Sequence, residues 1–99
     1  MISGDYISPG EAGSKIGDST DSRYFDKFRL LKILERKEVI GVSVYVIEDP
    51  GLPGKHDVIF SAVGLDGMEI AAFSNDGHQR NINLLNRGVP CPPCCKRRG

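Results

Sequence analysis

The sequence has no tryptophan, and aromatic residues make up only 7% of its 99 positions, so no large stacking platform or aromatic cage is evident. No apolar run approaches the ~18 residues that a membrane span needs. The start, MISGDYISPGEAG, lacks a basic stretch followed by an apolar one, so it does not read as a secretory signal. The expectation is a soluble, intracellular protein with no membrane partner. Catalytic signatures are also missing: there is no G-x-S-x-G, P-loop or G-x-G-x-x-G pattern. The two histidines, His56 and His78, both fall in turn-rich stretches. A small sheet with one or two helices leaves little room for a pocket that joins a base to a nucleophile. A non-enzymatic binding module is therefore expected.

What the chain does have is a β-rich centre, residues 39–73. Val42, Val44 and Val46 alternate with Ser43, Tyr45 and Ile47, the period-two pattern of a strand over Val39–Glu48. EDPGLPGKHD breaks it, because proline lacks the N–H and glycine favours turns. A second strand is predicted over Val58–Leu65. Asp66-Gly67 then signals a tight hairpin, and a third strand follows over Met68–Phe73. Asn75-Asp76-Gly77 closes it.

Ahead of the sheet, residues 22–38 read as an amphipathic helix capped by Asp21 or Ser22. Tyr24, Phe28, Leu31 and Leu34 form its apolar stripe. Residues 78–87 suggest a second, short helix stopped by Gly88. The fold class is α+β in the order α-β-β-β, with a final short α. A three-stranded antiparallel meander packs on the first helix. Phe28, Leu31, Val44, Phe60 and Ile70 are the expected core. Residues 1–20 read as a flexible acidic arm, 21–87 as the domain and 88–99 as a basic, cysteine-rich tail.

Net charge is zero but unevenly spread. Residues 1–22 hold four acids against Lys15, while residues 86–99 hold four bases and no acid. The two ends can simply solvate themselves, or the tail can bind a polyanion. All three cysteines lie in that tail, as Cys91-Pro-Pro-Cys94-Cys95. The C-x-x-C spacing suits zinc, and Cys91, Cys94, Cys95 and His78 would complete four ligands. The alternatives are reduced thiols on an unstructured tail, or a processed segment carried by the domain. No other cofactor is expected.

The loop Gly51-Leu-Pro53-Gly-Lys55-His56, with Phe60 four residues after the histidine and Gly67-Met-Glu69-Ile70 beyond, resembles the double-stranded RNA-binding domain over about residues 24–87. That family has the order α-β-β-β-α. The resemblance implies RNA contact by Lys55 and His56, the latter probing the minor groove, and phosphate contact by Arg80. Lys96, Arg97 and Arg98 would add charge. The lysine pair that opens the family's last helix would fall near His78-Gln79-Arg80, where only Arg80 is basic. The expected partner is thus double-stranded RNA, or a protein that engages the cysteine tail.

Overall fold

The computed structural model describes residues 2–19, 21–73, 77 and 79–91. The architecture is α+β. Its elements are α1 (Pro9–Ile16), β1 (Ser22–Tyr24), α2 (Lys27–Leu34), β2 (Val39–Glu48), β3 (His56–Gly64), β4 (Leu84–Leu85) and β5 (Val89–Cys91). Strands β2, β3 and β4 form a three-stranded antiparallel sheet in that order, and β1 pairs with β5 in a separate antiparallel ribbon.

The acidic segment holds a helix rather than irregular chain throughout. Ser8 caps α1 by accepting from Glu11 N (3.0 Å), proline opens its first turn, and Lys15 pairs with Glu11 at 3.1 Å. None of its residues is buried, so α1 adds nothing to the core.

The single helix expected over 22–38 divides into β1 and α2. Three side chains can cap a helix here, and Asp26 is the one that does. It accepts from Phe28 N (2.6 Å) and Arg29 N (3.2 Å). Asp21 is engaged elsewhere, by His56, and the intervening Ser22–Tyr24 takes extended backbone to pair with β5.

The β2–β3 hairpin follows the predicted strand over Val39–Glu48, and β3 starts at His56, two residues earlier than predicted. A bulge shifts the register between Val39 and Gly41. In the connecting loop, Asp49 accepts from Gly51 N (2.8 Å) and Gly54 adopts φ +81°, where a side chain would be strained.

The third strand is not Met68–Phe73. The Asp66-Gly67 reversal forms, with Gly67 at φ +79° and Gly64 N bonded to Met68 O at 2.8 Å. Yet only one bridge, Val63 to Glu69, and one further bond, Ile70 N to Ala62 O (2.9 Å), follow it. Leu84 and Leu85 take the edge of β3, opposite Ser61 and Phe60. They lie within the segment predicted as a second helix. Asn81 ends that prospect: its side chain accepts from Asn83 N (2.9 Å) and its carbonyl from Leu84 N (3.0 Å), which makes a turn of the residues that would have opened the helix.

The core is Ile33, Val39 and Ala62, with Val42 and Leu85 packed against it. Of the five residues expected there, Phe60 is half-buried and the others are exposed, Phe28 at 73% and Val44 at 52%. The strand phase is right, because the register puts Val42, Val44, Phe60 and Ala62 on one face. The cover is short. Eight residues of helix span about 12 Å, whereas ten of strand span about 34 Å. The brief connection through Arg36, whose carbonyl accepts from Val39 N (3.1 Å), holds α2 over the Val39 end. On the opposite face, Tyr45 stacks edge-on against Phe73 (5.7 Å) and donates its hydroxyl to Glu69 at 2.6 Å. That hydrogen bond holds the Glu69 carboxyl below its usual range and pushes the Tyr45 phenol up.

Candidate functional site

The uncovered part of the helix-side face becomes a groove. Phe25, Val44, Val46, Val58 and Phe60 supply its apolar walls, and Ser19, Asp21, Ser22, Arg23 and His56 its polar ones, around about 490 Å³. Phe25, just beyond β1, meets Phe60 edge to face with ring centroids 4.8 Å apart. Gly88 makes that approach possible, since a Cβ there would lie 2.5 Å from the Phe25 ring. Arg87, at φ +64°, turns the chain into this close pass. The buried Asp57 fastens it from below, accepting from Gly88 N at 3.3 Å and from Val58 N at 2.7 Å.

Arg23 is the fastener of the rim. Its guanidinium donates to Asp49 Oδ2 (2.6 Å), His56 O (2.8 Å) and Gly88 O (3.1 Å). One side chain thereby ties β1 to the β2–β3 loop, to the start of β3 and to the approach of β5. The side chain is almost wholly withdrawn from water, so the pair with Asp49 depends on both partners being present. The Gly51 N–H, and after it Arg23, hold the Asp49 carboxyl below its usual range.

Asp21 grips His56 twice, at the ring Nδ1 (2.9 Å) and at the backbone N–H (3.1 Å). The ring contact is the main cause, and the backbone contact the second, of a lowered Asp21 pKa. The pairing leaves Nε2 as the one ring nitrogen with no contact to that carboxylate. It also places a negative charge directly beside the histidine.

The chain matches no family model, no curated protein and no solved structure.

The residues proposed for RNA contact divide by position. Lys55 and His56 are consecutive at the loop end of the hairpin. Arg80 is exposed, in the segment that enters the sheet where Asn83 O accepts from Ala62 N at 2.9 Å. Ala62 lies six residues along β3 from His56, on the order of 20 Å. Lys96, Arg97, Arg98, His78, Cys94 and Cys95 lie outside the described residues, and Cys91 ends β5 opposite Ser22. Among the described residues no group of three His, Cys, Asp or Glu side chains is placed to hold a metal ion, and no helix is long and apolar enough to cross a membrane.

Sequence reasoning singled out His56 but not Asp21, Arg23 or Asp49. Asp21 and Arg23 lie beside and within the run that reads as one helix, and Asp49 lies in the strand-breaking segment EDPGLPGKHD. The Asp26-Lys-Phe sequence was the one signal that could have moved the helix start and released Asp21 and Arg23 for other contacts.

Proposed function

We propose that the protein is a small non-enzymatic binding module whose groove receives apolar side chains from an extended segment of a protein partner. One observation carries this reading. The groove has an apolar floor, while the Arg23 guanidinium and the His56 imidazole on its rim already face carboxylates, Arg23 with Asp49 and His56 with Asp21. A phosphate arriving at that rim would have to displace a carboxylate from each. An apolar side chain gains from burial against Val44, Val46, Val58 and Phe60 without disturbing either pair. The floor is open to it, with Val46 68% exposed.

The rival reading is double-stranded RNA binding through Lys55, His56, Arg80 and the tail bases. The probes that separate the two are an array of extended ten-residue peptides of graded apolar content and a 20-base-pair RNA duplex. The groove reading expects peptide binding that perturbs the methyl resonances of Val44, Val46 and Val58. It should weaken little with salt and fall at least tenfold in Val46→Glu. A duplex that binds in preference to DNA, loses affinity steeply with salt and leaves those methyls unmoved would overturn the groove and favour RNA.

A further inference from the structure

The outer edge of β2 is a second surface, formed by the backbone of the strand whose Val44 and Val46 side chains also line the groove. Among the described residues, no strand pairs with it. The direction of its backbone groups follows from the far side of the sheet. Ala62 N donates to Asn83 O and Ala62 O accepts from Ile70 N, both at 2.9 Å, so the Ala62 peptide groups point away from β2. In an antiparallel ladder, partners that do not bond each other both point outward. Val42 is the register partner of Ala62, Val44 of Phe60 and Val46 of Val58. The N–H and C=O groups of Val42, Val44 and Val46 therefore point outward in a row, while Ser43, Tyr45 and Ile47 bond to β3.

Exposed edges usually carry a guard such as lysine, proline, an inward charge or a very short strand. The β2 edge is ten residues long, contains no proline or lysine, and has one charge, Glu48, at its end. Its only irregularity is the bulge between Val39 and Gly41, at the opposite end from Glu48. Its side chains are apolar and open: Ile40, Val44 and Val46 are all more than half exposed.

We infer that this edge pairs with the same edge of a second copy, β2 antiparallel to β2, giving a continuous six-stranded sheet across a two-fold axis. The sequence VIGVSVYVIE suits this partner because it opposes itself without conflict. With the axis at Val44, Val42 meets Val46, Ser43 meets Tyr45, and the lone Glu48 meets Ile40 rather than another acid. The contact is isologous and closes on itself. Growth beyond two copies is not favoured, because the outermost strand would be β4, which offers only two residues.

Sedimentation of the full chain and amide exchange on the same samples test this. A single strand pair is a small interface, so a dissociation constant on the order of 10 μM is expected. At roughly 300 μM the mass should be that of two chains, falling to one chain below about 1 μM. Slow exchange at Val42, Val44 and Val46 should appear only at the high concentration, while Ser43, Tyr45 and Ile47 stay protected at both. Val44→Pro removes one outward N–H and spares the β3 ladder, so it should keep the fold by circular dichroism and lose the dimer. A single-chain mass at every concentration, or a dimer whose three outward amides still exchange quickly, would overturn the inference. Both results are read on the wild type and hold whether or not the proline variant folds.

Discussion

The two ends of the β2–β3 hairpin are built by different means. At the Val39–Ala62 end, α2 lays Ile33 over the sheet and the contact is apolar. At the Glu48–His56 end α2 does not reach, and β1 is held across the face by Arg23–Asp49 and His56–Asp21. One end excludes water with side-chain volume. The other leaves a groove and keeps its walls in place with charge-assisted hydrogen bonds. The difference explains why the groove lies at one end: the other end is already filled by Ile33.

Four changes test that contrast. Ile33→Ala should have the largest effect, about 2–5 kcal/mol in a denaturant melt, because Ile33 is 2% exposed and nothing else from α2 is buried. A loss below about 1 kcal/mol would show that the helix does not anchor its end. Arg23→Gln comes next. It removes the charge opposite Asp49 and at least one of three bonds, so the melting temperature should fall on the order of 10 °C. Amide protection should vanish first at Tyr24 and Val89, while β2 and β3 keep theirs. Simultaneous loss everywhere would mean that the two ends are not separable.

Acid provides the third test. Asp21 and Asp49 both have folded pKa values below the ordinary 3.8. Their stabilisation is complete above the unfolded value and is lost as pH falls through the lowered folded one. Melting temperature should stay flat down to about pH 5 and drop below about pH 4. Asp21→Asn should make that drop shallower, and an unchanged profile would remove Asp21 from the account. The smallest effect belongs to Phe28→Ala, within about 0.5 kcal/mol of wild type, since this apolar residue on the same helix as Ile33 stands in solvent. A large loss there would restore the stripe predicted from periodicity.

How far the sequence shows this fold depends on the range of each interaction. The Val39–Glu48 strand and the Asp66-Gly67 reversal are legible because alternation and turn chemistry act within a few residues. The third strand is not, because which segment wins the edge of β3 is settled by competition between 68–73 and 84–85, at distances no local period records. The helix start depends on the same kind of competition, among three capping side chains, which Asp26 wins. At the site, His56 stands out from its turn-rich loop, but Asp21 is 35 residues away and its role appears only once β1 crosses the sheet. The apolar groove follows from the length of α2, which a stripe continued over 22–38 had overstated.

The ribbon of β1 with β5 has a consequence for the order of events in folding. Arg23 and the Gly88 carbonyl it grips are 65 residues apart, whereas the two strands of the hairpin are joined by a short loop. Closing a loop of that size costs more chain entropy than closing the hairpin, and the cost must be met before the contact returns anything. During synthesis the hairpin can therefore assemble while β1 still waits for a partner. Until Val89–Cys91 has been made, Phe25 has no Gly88 against it and the groove has no fixed wall. The groove is thus the last part of the domain to mature, and a nascent chain halted before residue 88 would carry a formed hairpin with one groove wall missing.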